Sequence, residues 1–320
     1  MTAATRPPVP APPRLHAPPT QTRPWPTPSA VLAGGVFVSL LLFAVALTGL
    51  VLDHRTITGA PAWLKPAKFG LSAALYLATL RWMIGRLPNH PRSTAVISNL
   101  AVVVLLAELV WISLQVIRGT TSHFNVSSTF DAAAYYTMGA FISVLVFTTI
   151  AVGVRALRTQ DGDAGLAAGI RWGIGICVLG MLEAVLIVTN NGWSDSGGHT
   201  VGAPDGGPGL PLTQWSTLHG DLRVAHFAGL HGLQVLPLLA WGLARTGLDE
   251  RVRARLVAVA GTAYVGLVAL LAWQALRGQA LLRPDHTILE ALAGLLMATA
   301  AGLALVLRKR TATRPPGSVT

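Results

Sequence analysis

Several acidic and imidazole side chains lie inside apolar stretches of this 320-residue sequence, where ionisable groups are rare. Glu108, Glu183 and His231 each fall within a run long enough to cross a bilayer. An ionised side chain at the bilayer centre costs about 2.5–3.5 kcal/mol on insertion scales, so such residues tend to face a polar interior and carry function. With a helical rise of about 1.5 Å per residue, all three lie roughly 10–13 Å from the same end of their helices. We therefore expect them to meet at one level of a helix bundle.

Most of the nine histidines lie toward that same end of the bundle. Imidazole and carboxylate groups together suit iron or copper, and imidazole is also an axial ligand of haem, so the expected cofactor is iron, haem or copper. The predicted metal-binding histidines are His123, His199, His219, His226 and His231. The predicted catalytic set consists of Glu108, Glu183, Asp221 and Arg223, of which Asp221 and Arg223 are expected to orient imidazoles.

Three basic residues accompany these groups. Lys65, Lys68 and Arg118 are predicted to hold an anionic group of a substrate or cofactor. The single cysteine, Cys177, excludes an intrachain disulfide framework and a zinc site made of thiolates.

The composition identifies the elements that must position these residues. Hydrophobic residues make up 52% of the chain and charged residues only 12%, whereas soluble domains carry about 25% charged residues. This rules out an ordinary soluble enzyme and a disordered chain. Eight apolar stretches are too long for strands and have the length of membrane-spanning helices. They are 30–52, 66–84, 95–117, 131–154, 166–189, 224–244, 256–276 and 286–307. The predicted fold is an all-α, polytopic membrane helix bundle of about eight transmembrane helices.

The distribution of basic residues predicts the orientation in the cell membrane. If the N-terminus is cytoplasmic, 17 of the 24 Lys and Arg residues fall on the cytoplasmic side, as the positive-inside rule requires. Both termini are then cytoplasmic, and the net charge of +11 gives no reason to expect nucleic-acid binding. The predicted organisation is a disordered Pro- and Arg-rich tail (1–29), a transmembrane domain (30–307) with a long outer loop (190–222), and a basic tail (308–320).

Three motifs carry a resemblance to other proteins. WLKPAKF (63–69), RGTTSHFN (118–125) and HGDLRVAHFAGLHGLQ (219–234) resemble a group of multi-spanning bacterial membrane proteins. That group has no established activity, so no catalytic role is carried over from it. The helix of Glu108 that runs into RGTTSH is also similar to haem A synthase, in which a Glu and histidines surround haem. An association of such proteins with natural-product pathways that oxidise nitrogen implies N-oxidation of a small intermediate.

The leading prediction is a metal- or haem-dependent membrane oxidoreductase or oxygenase with its site in the outer half of the bundle. Its expected partners are the lipid bilayer, a small-molecule substrate, and an electron donor or pathway protein. A proton-coupled transporter is the first alternative, because the same residues could relay protons. The scarcity of ionisable groups in the inner halves of the helices favours a one-sided site over a relay. A non-enzymatic sensor or assembly factor is the second alternative.

Overall fold

A computed structural model describes residues 28–87, 90–158, 162–193 and 196–312. The described chain is dominated by eight helices, which confirms the all-α prediction. They are α1 (Pro28–Leu52), α2 (Leu64–Ile84), α3 (Pro91–Ile117), α4 (Thr129–Arg158), α5 (Ala164–Thr189), α6 (Arg223–Leu243), α7 (Glu250–Leu276) and α8 (His286–Ala312). The predicted N-terminal tail lies outside the described residues except for its last two positions, as does 313–320 of the predicted C-terminal tail.

Seven of the eight helices in the described chain are long and apolar enough to cross a membrane. The exception is α2, whose three basic residues (Lys65, Lys68 and Arg81) lower its mean hydropathy. This helix packs against α1 and α3 like the other members of the bundle. It therefore belongs to the bundle, although its composition alone does not identify it as a span.

Some helices extend beyond the predicted apolar stretches. Helix α7 begins six residues before the predicted span because Asp249 caps it, accepting a hydrogen bond from the backbone N–H of Val252 at 2.9 Å. Its first turns carry Arg251, Arg253 and Arg255, which a hydropathy window leaves out. Helix α8 likewise continues through the first five residues of the predicted basic tail.

Three connections meet at one end of the bundle, which we call the cavity end. The α1–α2 connection forms a small hairpin of β1 (Thr56–Ile57) and β2 (Ala60–Pro61). The long α5–α6 connection contributes β3 (Thr200–Val201) and β4 (Gly220–Asp221), which pair antiparallel. Both connections line one cavity together with the α3–α4 connection. Helices α2, α4 and α6 therefore begin at the cavity end, and helices α3 and α5 end there.

Helices α5 and α6 approach each other closely at two glycines. A Cβ atom built on Gly180 would lie 2.5 Å from the carbonyl carbon of Gly229, so neither position has room for a side chain. Small residues allow helix backbones to pack together in this way within membranes. This contact fixes α6 against α5 only three residues from His226.

Candidate functional site

The cavity end encloses a space of about 1220 Å³. This exceeds the roughly 300–1,000 Å³ of pockets for drug-sized ligands. Its walls come from the first turns of α2, α4 and α6, the last turns of α3 and α5, and the three connections at this end. The sequence-predicted site residues that line it are Lys65, Lys68, Glu108, His123, His199, His219, Arg223 and His226. Residues from separate helices therefore meet in one space, as the sequence predicts.

Glu108 lines this cavity, and its carboxyl group is buried beside it. Its residue is only 2% exposed, and neither carboxyl oxygen has a hydrogen-bond partner among the described residues. Buried polar groups in proteins are nearly always hydrogen-bonded, so an unpaired one calls for a functional explanation. The carboxyl group of Glu108 therefore lies at the cavity wall without a hydrogen-bond partner among the described residues.

The imidazole of His226 is held by the backbone of α5. Its Nδ1 atom lies 2.6 Å from the carbonyl oxygen of Gly180. A carbonyl can only accept, so Nδ1 donates and the neutral ring keeps an unprotonated Nε2. The close contact of Gly180 with Gly229 brings the carbonyl of Gly180 next to the ring of His226. The lone pair on Nε2 of His226 can then accept a ligand or a proton.

His199 lies close to two carboxylates. Its Nδ1 lies 3.1 Å from Oδ1 of Asp205 and 4.0 Å from Oδ1 of Asp221. Pairing of Thr200 with Asp221 across β3 and β4 brings this part of the loop together. Burial, reinforced by the positive charge of Arg223, lowers the pKa of His199 to about 4. The ring is therefore neutral near pH 7, and its Nδ1 shares a hydrogen bond of 3.3 Å with Oγ1 of Thr200.

Asp221 and Arg223 form the ion pair behind His199. Nη2 of Arg223 lies 2.7 Å from Oδ2 of Asp221, and the Asp221 residue is 1% exposed. Burial raises the pKa of Asp221, but the hydrogen bonds and charge of Arg223, together with His199 and the backbone N–H of Ser216, outweigh that effect and lower it. Arg223 also donates to the carbonyl oxygen of Gln214, which ties the loop to the start of α6. Asp221 does not line the cavity, and its Oδ1 lies 4.0 Å from Nδ1 of His199 without a hydrogen bond to it, so its role in orienting an imidazole stays a prediction.

His123 lies beside a cationic group. Its Nδ1 is 3.1 Å from Nζ of Lys65 and 3.1 Å from Oγ of Ser122. Burial and the neighbouring Lys65 lower the pKa of His123 well below the usual value for imidazole. When Lys65 is charged it can only donate, so Nδ1 of His123 accepts and its Nε2 carries the hydrogen. His123 then presents a donor where His226 presents an acceptor.

Two lysines give the cavity positive charge. Neither Lys65 nor Lys68 forms an ion pair with a carboxylate anywhere in the described chain. Lys68 donates instead to the carbonyl oxygen of Thr213 at 3.0 Å. A cavity with two such lysines favours an anionic group, and the binding role of Lys65 and Lys68 stays a prediction.

Glu183 and His231 lie outside the cavity, although their depth in the sequence predicts that they share it. Glu183 is one turn farther from the cavity end than Ile187, which lines the space. His231 is five residues beyond His226, which turns it about 140° around α6. Its Nδ1 lies 3.2 Å from Oε1 of Gln234, and its ring packs edge-on against Phe227. Depth along a helix does not determine the direction in which a side chain points.

Arg118 is also outside the cavity. Its Nη1 lies 2.5 Å from Oδ1 of Asp131 and 2.6 Å from Oε1 of Gln115. The guanidinium group is therefore occupied between α3 and α4. Sequence reasoning gave it an anion-binding role because Asp131, thirteen residues later, was not recognised as its partner.

Backbone strain is concentrated at the cavity. Four non-glycine residues of the described chain have a left-handed backbone conformation, and three of them line the cavity: Thr58, Phe124 and Gln214. Such conformations cost on the order of 1–3 kcal/mol each and cluster at functional sites. Sequence reasoning did not find these residues, nor Asp205, because loop residues follow no periodic pattern. The only signal for Asp205 is its position six residues after His199 in a glycine-rich loop.

Within the described ranges, no three His, Cys, Asp or Glu side chains are close enough together to coordinate a single ion. Four of the five predicted histidines, together with Glu108, instead lie around one large space. These histidines are His123, His199, His219 and His226. Comparison of the chain with protein-family models, curated proteins and solved structures finds no match.

Proposed function

We propose that the protein is an integral membrane oxidoreductase that binds haem in the cavity. The observation that carries the proposal is the buried, unpaired carboxyl of Glu108 in the same space as His226, whose Nε2 carries no proton. Haem supplies one-electron and oxygen chemistry when it is bound. A carboxyl group in that space can accept or release the accompanying proton.

The donor groups favour haem over a bare iron or copper ion. A bare ion takes most of its ligands from protein side chains, whereas haem iron takes only one or two. His226 offers an unprotonated Nε2, and the other nitrogen of its ring is fixed by the carbonyl oxygen of Gly180. Fixing the second nitrogen sets the tautomer and orientation of a ligating imidazole. We therefore propose that His226 would hold the iron of a bound haem.

The remaining walls of the cavity support the same cofactor. The two lysines without acidic partners, Lys65 and Lys68, are suited to the carboxylates of a haem. Phe69, Ile112 and Met138 contribute apolar wall, as a macrocycle requires. We propose that Lys65 and Lys68 would bind the carboxylates of the haem, and that Glu108 accepts or releases protons.

The one-sided position of the cavity supports an enzyme rather than a proton-coupled transporter. The lining residues of α3 and α6 lie in the halves nearest the cavity end. A transport path would need polar groups that continue to the opposite end. We further propose that the cavity end faces away from the cytoplasm, since the basic residues are concentrated toward the other end. N-oxidation of a small natural-product intermediate stays a prediction.

The direct test is purification in mild detergent, followed by iron analysis and a visible absorption spectrum. We expect one iron per chain and the intense near-ultraviolet band of a haem protein. A folded preparation without iron or a haem spectrum, even after growth with a haem precursor, would exclude the proposal. Proton-driven uptake of a solute into proteoliposomes would favour the transporter.

A further inference from the structure

The cavity extends sideways to the surface of the bundle between α4 and α5. Its lining includes Tyr136 and Gly139 of α4 and Val188 of α5. Tyr136 is 67% exposed and Val188 50% exposed, and Gly139 is exposed as well. Residues that both line an interior space and face outward mark an opening.

This opening lies along spanning segments. Tyr136 and Gly139 are seven and ten residues into α4, so they lie about 10 and 15 Å from its start at 1.5 Å per residue. The exposed surface of a spanning helix at that depth faces hydrocarbon. The opening therefore faces lipid.

Aromatic rings connect the opening to the interior. Tyr136 packs against Tyr135 at 5.5 Å between ring centroids, and Tyr135 packs against Phe124 at 5.6 Å. Phe124 packs against His123 at 6.2 Å. All four rings line the cavity. This wall offers apolar contact along its length and reaches hydrogen-bonding groups at His123.

We infer that the gap between α4 and α5 is a lateral entrance for an apolar, membrane-dissolved molecule with a hydrogen-bonding end. The apolar body lies along Tyr136, Tyr135 and Phe124, and the polar end reaches His123. Calling this molecule the substrate rests on the proposed function, whereas its entrance from the bilayer rests on the cavity alone.

The test uses the full chain in lipid vesicles and a hexadecanol that carries a photoreactive diazirine. The readout is labelling of the peptide that contains Met138, a residue that is 5% exposed and lines the cavity. We expect labelling that saturates and is displaced by unlabelled hexadecanol. Labelling that the competitor does not displace would overturn the inference, since it would mean only contact with lipid chains.

Two blocking variants test the route. A Cβ on Gly139 would meet nothing within 4 Å, so Gly139→Trp can be accommodated while it fills the opening. We expect it to reduce labelling at Met138 to background, and Val188→Trp, which blocks from α5, to do the same. Gly294→Trp is the matched control, because Gly294 is equally open and lies on α8, away from the cavity. Unchanged labelling in both folded blocking variants would overturn the inference.

The iron content of the same samples separates the two proposals. Saturable labelling without iron or haem would contradict the proposed function and leave the entrance standing. If the protein binds haem but the blocking variants are labelled like the wild type, the lateral entrance is contradicted and the proposed function is not.

Discussion

Nζ of Lys65 lies 3.1 Å from Nδ1 of His123, which joins the first turn of α2 to the connection between α3 and α4. His123 is neutral and accepts this hydrogen bond, and the charge of Lys65 has no carboxylate within ion-pair distance among the described residues. The pair lines a cavity to which Glu108 adds an unpaired carboxyl. We interpret this arrangement as a site that is completed by an anionic ligand.

The first prediction concerns Lys65. Lys65→Met removes a cation that has no acidic partner, so we expect haem affinity to fall about tenfold or more, the value of one charge-assisted hydrogen bond. The measurement is a titration of the purified protein with haemin, followed by absorbance. Arg81→Met is the control, because Arg81 lies on the same helix and binds Ser29 outside the cavity. Equal affinities in the two variants would rule out a role for Lys65 in anion binding.

The second prediction concerns the contact that positions His226. Gly180→Ala places a methyl group against the backbone of Gly229, and we expect a loss of about 1–3 kcal/mol of unfolding free energy, as for overpacking. Haem affinity should fall as well, because the carbonyl that holds His226 moves. Unfolding in mixed micelles measures the first effect and haemin titration the second.

Gly175→Ala is the matched control on the same helix. A Cβ there meets nothing within 4 Å, so replacement of a helical glycine should be neutral or stabilising by up to about 1 kcal/mol. If Gly180→Ala behaves like Gly175→Ala, the close contact of α5 and α6 does not limit packing.

The helices could be predicted from the sequence because each of them contains a long apolar stretch. The stretch at 131–154 falls within α4, and that at 166–189 ends where α5 ends. The site was only partly accessible. Glu108 was found by its depth and His226 by its place among the histidines at one end, but depth also selected Glu183 and His231, because it says nothing about orientation around the helix. The position of Asp205 beside His199 depends on the folded conformation of the long loop. The sequence of that loop has no periodic pattern from which the position could be predicted.

The third prediction concerns pH. Burial depresses the pKa of His199 to about 4, below the ordinary imidazole value near 6.5. The unfolded chain therefore binds the proton more readily, and folding stability is lost as pH falls from about 6.5 toward 4. We expect the melting temperature to decrease across this window and His199→Asn to flatten the decrease. Parallel profiles for both proteins would show that another group is responsible.

The fourth prediction concerns the ion pair of Asp221 with Arg223. Removing one partner of a buried pair leaves an uncompensated charge, so Asp221→Asn should cost about 3 kcal/mol of unfolding free energy. Asp285→Asn is the control, because its pair with Arg277 is more than one third exposed and should cost less than about 1 kcal/mol. A similar small loss in both variants, measured by unfolding in mixed micelles, would mean that the Asp221 pair does not order the loop.

The most direct measurement for the central claim compares haemin titrations of the wild type, His226→Gln and His231→Gln. The two histidines share a helix, but only His226 lines the cavity and has its second nitrogen fixed by Gly180. The account predicts a haem spectrum in the wild type and in His231→Gln, with a weakened or altered spectrum in His226→Gln. Failure of the folded wild type to bind haemin, or identical spectra in all three proteins, would contradict it.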